Sequence, residues 1–265
     1  MSTAAAITGI STDIPRIGLG RLVALEARKS FDTRAGRWLS FIILGIVALV
    51  VLVMALLVPD GGIPIFQVYL LAAGSVLGYF LPIIPIMLVT QEWGQRTALV
   101  TFSLEPRRWR VVLAKLVASL LISVGVMALA FAFAAVGTAL AGLRGAETDW
   151  SLPAQAVLNF TLSNAIGVLI GFAIAMLLMN TAAAIVTYFI YTLVVPTVAV
   201  IAGALLSWLQ PILPWIEFNQ AQAPLFEGDF SPTGEQWAQL ATSGFIWLVL
   251  PFTLGLIRLL RAEVK

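Results

Sequence analysis

The sequence predicts an all-α integral membrane protein with six spanning helices, on three observations. Of 265 residues, 60% are hydrophobic and only 11% are charged, whereas a soluble domain is about half apolar and about a quarter charged. Mean hydropathy is +1.01. Uncharged apolar runs recur along the chain, and twenty residues at about 1.5 Å each cross a hydrocarbon core about 30 Å thick.

Residues 1–20 lack the early basic region of a secretory signal, and Asp13, Pro15 and Arg16 interrupt any apolar core, so an uncleaved N-terminus is expected. Residues 16–37 carry Arg16, Arg21, Arg28, Lys29, Arg34 and Arg37 against Glu26 and Asp32, with Ile17, Leu22, Leu25 and Phe31 among them. That mixture predicts an amphipathic helix in the membrane interface, with a basic tail on anionic lipid as the alternative.

The first span covers residues 39–58, and Asp60-Gly61-Gly62-Ile63-Pro64 reads as a turn. The second covers 66–90. Pro82 and Pro85 each remove a backbone donor near its end, so the helix is expected to bend or to loosen locally there. Residues 91–115 are the most charged internal segment and form the next connection. Pro106 suits the first turn of a helix leading into the third span, 111–143. Lys115 is expected to extend back toward the headgroups, and Pro106–Arg110 to meet lipid phosphates.

Residues 150–216 contain no charged side chain. The run is too long for one crossing and predicts two, 153–179 and 182–208, folded about Asn180-Thr181. Residues 209–236 are broken by Pro211, Pro214 and Pro224 and read as short interfacial helices. The sixth span is 237–257. Residues 1–265 thus form a single domain.

Charge sets the expected orientation. Six crossings put the N-terminal segment, the 91–115 connection and the C-terminus on one side. That side holds fourteen basic residues against six acidic ones, +8, and the other holds one against seven, −6. The positive-inside rule predicts that both termini and the connection are cytoplasmic.

The residue inventory excludes much chemistry. There is no cysteine and no histidine, which removes thiolate catalysis, disulfides and the commonest proton shuttle and metal ligand. The spans hold no Asp, Glu, His or Arg and no Lys except Lys115, so neither an ion-coupled carrier nor a membrane enzyme with paired carboxylates is expected. No GxxxxGK[ST] loop is present, and no catalytic, cofactor-binding or metal residue is assigned. Polar side chains within spans are mild. Tyr69, Ser75 and Tyr79 in the second and Thr187, Tyr188 and Tyr191 in the fifth are the candidates for a translocation path. Asn159, Ser163 and Asn164 in the fourth are expected to bond between helices.

The 91–115 connection and the basic segment together carry a resemblance. Leu25-Glu26-Ala27-Arg28-Lys29, then Glu92-Trp93, Gln95-Arg96-Thr97, Leu99, Thr101-Phe102, Leu104, Pro106-Arg107-Arg108 and Lys115, set among six spans, resemble the permease subunits of type-2 ATP-binding-cassette (ABC) exporters, most like actinobacterial members. Many members have glycine before the threonine, where this chain has Arg96.

What the resemblance implies is half of a transporter in the bacterial plasma membrane. Two permease copies, a homodimer or a heterodimer, would pair above two separate nucleotide-binding subunits. Those subunits would carry ATP and its magnesium; this chain would hold no cofactor and touch no nucleic acid. Residues 16–37 would be the connecting helix, and 209–236 would cap the outer side. A coupling helix in the 91–115 connection would meet the ATPase through Gln91, Glu92, Trp93, Gln95, Arg96 and Thr97. The cargo would be a hydrophobic or amphipathic drug, peptide or lipid moved outward. Two other readings compete: an ATP-independent channel or facilitator, and a non-transporting membrane anchor for a cytoplasmic partner.

Overall fold

The computed structural model describes residues 17–57, 65–95, 97–226 and 232–263. Among them the chain is helical without strands, and six helices are long and apolar enough to cross a membrane. The turn expected at 60–64 and Arg96 lie outside the described residues.

α1 (Leu19–Asp32) buries one stripe, Leu22, Val23 and Glu26, and presents its basic residues Arg21 and Arg28 to the exterior. The segment expected as one helix over 16–37 is divided, because Thr33 adopts extended backbone before α2 (Arg34–Leu57), the first crossing helix. The second crossing is broken into α3 (Phe66–Phe80) and α4 (Ile83–Gly94), with Leu81 and Pro82 between them. The local loosening expected from the prolines is the interruption at Leu81 and Pro82, and Pro85 falls within the first turn of α4, where its missing N–H costs nothing.

The short α5 (Ala98–Leu104) follows, and then α6 (Arg108–Leu143). Pro106 does not join the first turn of α6 as expected. It stands two residues ahead, with Arg107 in the capping position. α7 (Ala154–Leu178) is the centre of the bundle and packs on α3, α4, α6, α8 and α13. Its residues from Ile170 to Met176 are all buried, so it is surrounded on every side there.

The turn into α8 (Thr181–Phe189) is made by Met179, whose φ of 50° is left-handed, and by Asn180, whose Oδ1 accepts from the Ala183 N–H. The fifth crossing then passes through a five-residue π turn, Ile190–Val194, into α9 (Val195–Leu205). It ends three residues before the expected 208. α10 (Leu213–Ile216) and α11 (Phe218–Phe226) account for much of the segment expected to form short helices.

α12 (Gly234–Gly244) opens on a capping box between Thr233 and Gln236. A second π turn, Phe245–Val249, leads to α13 (Leu250–Arg261). Each π turn stands just before a proline, Pro196 or Pro251. Proline lacks the N–H for an i−4 bond, and the residue ahead of each bonds five residues back instead: Val195 to the Ile190 carbonyl, Leu250 to that of Phe245.

Three arginines close helix ends. Arg144 donates to the carbonyls of Ala55 and Leu56 at the end of α2, Arg258 to that of Leu177 at the end of α7, and Arg108 to those of Leu259, Leu260 and Ala262 at the end of α13. Final carbonyls have no partner within their own helix, and the negative end of the helix dipole attracts a cation.

Candidate functional site

The 91–115 connection is attached to the body by charge. Lys115 does not extend to the headgroups as expected. It is 4% exposed, donates to Glu26 Oε2 at 2.7 Å and to the Leu88 carbonyl at 3.0 Å, and lies 3.2 Å from Glu92 Oε1. Lys29 donates to Glu26 Oε1 and Glu92 Oε1, each at 2.7 Å. Thr101 adds a hydroxyl bond to Glu92 Oε1 at 3.1 Å. Glu26 and Glu92 are 2% and 5% exposed.

Two ammonium groups therefore meet two carboxylates in a net-neutral cluster that joins α1, α4, α5 and α6. A buried charge is tolerated when its partners supply opposite charge and hydrogen bonds together, as here. Burial pulls the Lys29 ammonium down, but its bonds to Glu26 and Glu92 outweigh that and hold it above the usual lysine range.

This arrangement redistributes the residues expected to face an ATPase. Glu92 is engaged inside the chain. Trp93 is partly buried, its ring 6.3 Å from that of Phe102, which in turn lies under the Arg108 guanidinium at 4.8 Å. Gln91 is half-buried, while Gln95 and Thr97 are exposed. Beside them α5 exposes Leu99 and Val100. Arg108 and Arg110 do not face lipid as expected: Arg108 caps α13, and Arg110 binds Glu105 at 2.5 Å and the Ile17 carbonyl at 2.6 Å.

The second feature is a cavity of roughly 430 Å³ between the second, fourth and fifth crossings. Four of the six residues expected to line a path meet here: Ser75, Tyr79, Tyr188 and Tyr191. Tyr69 does not. It is 2% exposed in the core, with its ring against Gly137. Thr187 lines a separate apolar pocket of roughly 210 Å³ with Ile174, Ile190 and Trp247. Ser163, expected to bond between helices, is on the cavity wall, as are Asn219 and Gln222 of α11.

Tyr188 does two things at once. Pro82 has no N–H to give to the Gly78 carbonyl four residues back, and the Tyr188 hydroxyl donates to that oxygen at 2.5 Å. The broken second crossing is thus closed by the fifth. Tyr188→Phe is expected to leave that carbonyl unsatisfied, cost roughly 1–3 kcal/mol and lower the thermal unfolding midpoint in nanodiscs. An unchanged midpoint would show that the bond carries no stability.

The two π turns also meet here: the rings of Tyr191 and Trp247 lie 5.0 Å apart, and Trp247 Nε1 donates to the Ile216 carbonyl at 2.7 Å. Neither contact was legible beforehand, since a π turn has no periodicity of its own. The proline two residues after each is the signal that was available. Comparison with protein-family models and with curated proteins returns no significant match.

Proposed function

We propose that this chain is the membrane-spanning permease subunit of an ABC exporter in a bacterial plasma membrane. It would work as a pair of permease copies above separate ATP-hydrolysing subunits. The observation that carries the reading is the neutral cluster of Glu26, Lys29, Glu92 and Lys115. It makes one rigid unit of the amphipathic α1, the short α5 and the ends of α4 and α6, and α4 leads straight to the Pro82 break. A displacement of the connection is then transmitted to the cavity wall rather than absorbed in a loose loop.

In this reading both termini and the connection are cytoplasmic, which the distribution of lysine and arginine supports. ATP-driven closure of the partner subunits moves the connection and shifts the permease between inward- and outward-facing states. The docking contact is formed by Gln95, Arg96 and Thr97 with the exposed Leu99 and Val100, while Glu92 anchors the contact from behind.

Co-expression with the nucleotide-binding subunit of the same host tests this. The ATPase is expected to co-purify with the wild-type chain, and Leu99→Asp to reduce recovery by roughly tenfold, as loss of a central apolar anchor does. Transport by the reconstituted chain without any ATPase would establish the facilitator reading instead.

A further inference from the structure

We infer that the cavity is a binding site for an uncharged amphiphile whose head bears hydroxyl or amide groups, which deepens the transport reading by naming the class of cargo. Among the described residues no Asp, Glu, Lys or Arg lines the cavity or the adjoining pocket of roughly 360 Å³ that shares Ser75, Gly78 and Ser163 with it. The polar groups of the lining are instead hydroxyls and carboxamides. Ser75, Tyr79 and Ser163 are exposed at spanning depth, Asn159 lines the adjoining pocket, and Asn219 and Gln222 close one end.

The large exposed side chains of the spans are mainly Leu, Ile, Val and Phe, and exposed threonines such as Thr197, Thr242 and Thr253 bond carbonyls of their own helices. Carboxamides gathered with hydroxyls at one cavity point to a lumen or a ligand, because a lone hydroxyl can bond its own helix whereas an amide keeps further donors and acceptors that hydrocarbon cannot meet. A charged head would enter without a counter-charge in the lining, since the nearby Glu217 carboxylate is buried and already accepts from the Asn219 and Gln220 N–H groups, a cost that hydroxyls and amides do not offset. Those groups do offer donors and acceptors together, which an uncharged polyhydroxyl or amide head uses in full.

The tail has a place as well. Tyr191 lines both this cavity and the apolar pocket containing Ile174, Leu178, Ile190 and Val195. Its buried hydroxyl has no hydrogen-bond partner among the described residues. A polar head on one side of Tyr191 and an alkyl chain on the other match the two compartments.

Photolabelling tests the site on the full chain in phosphatidylcholine nanodiscs, without any ATPase. The probe is a monoacylglycerol with a diazirine in its acyl chain, compared with the fatty acid and the alkylamine carrying the same diazirine. The monoacylglycerol is expected to label peptides containing residues 75–79 and 188–196 at least about tenfold more than either charged probe. Gly78→Leu is expected to abolish the preference by filling the cavity, and a Cβ there meets nothing within 4 Å, so the fold has room for it. Ser75→Ala with Ser163→Ala is the second arm, since both hydroxyls bond only their own helix backbone. It is expected to bring neutral labelling down to the level of the charged probes.

Equal labelling by all three probes, or neutral labelling that survives both variants, overturns the inference. Neither result bears on ATPase co-purification, and a chain that binds no ATPase would still show the neutral preference.

Discussion

Lys115→Met is expected to destabilise the folded chain by roughly 3–5 kcal/mol, the cost of leaving buried carboxylates without their partner. Lys115 is the only one of the four clustered groups that bonds both a carboxylate of α1 and a carbonyl of α4 from within α6. Its removal leaves Glu26 and Glu92 to share Lys29, which is partly open to solvent. Thermal unfolding of the purified chain in nanodiscs reads the effect directly. Adding Glu26→Gln to Lys115→Met is expected to restore part of the loss, because Lys29 and Glu92 then remain as a single matched pair. A Lys115→Met chain with the unfolding midpoint of the wild type would show that the cluster is not a structural joint. The transmission route through α4 would fall with it.

Gly171→Leu has the other large expected effect. A Cβ built on Gly171 stands 2.7 Å from the Pro82 carbonyl oxygen and 2.9 Å from Pro82 Cβ. Both are backbone or ring atoms that cannot swing away, so α7 and the break in the second crossing must separate. Overpacking of this kind costs roughly 1–3 kcal/mol, and a whole leucine belongs at the upper end. The same substitution at Gly78 has open space, so the pair separates loss of helix contact from loss of intrinsic helix flexibility. Unfolding midpoints of the two variants, measured side by side, decide it. If both fall equally, the close approach of α7 to Pro82 is not what Gly171 secures.

The number of crossings was legible because twenty apolar residues without charge have few alternatives, and the break at Pro82 was legible because proline acts locally. The cluster was not. Its four residues come from three separate stretches, and sequence distance hides a contact such as Lys115 with Glu26. One signal pointed there: Lys115 lies in an apolar helix with no acid three or four residues away, so its partner had to come from another element. Tyr69 and Tyr79 looked alike in sequence, yet one packs into the core and the other faces the cavity. Both lie in α3, where ten residues at about 100° each leave the two rings about 80° apart around the axis, and periodicity alone does not say which side meets the core. Arg108 and Arg110 looked like lipid contacts for the same reason, since the carbonyls that they satisfy belong to distant segments.

The π turns of the fifth and sixth crossings bear on how such a bundle can change shape. Each holds one residue more than the α turn that it replaces, so its helix carries a surplus of about 1.5 Å and about 100°. Passing that surplus along the helix by one residue swivels a single side chain from one neighbour to the next, while both helix ends stay at their anchors. Tyr191 and Trp247, tilted at 45° to each other where the two surpluses meet, are in contact, so a swivel of either ring would press on the other. A migrating π turn lets a side chain rotate in place without tilting of the whole helix.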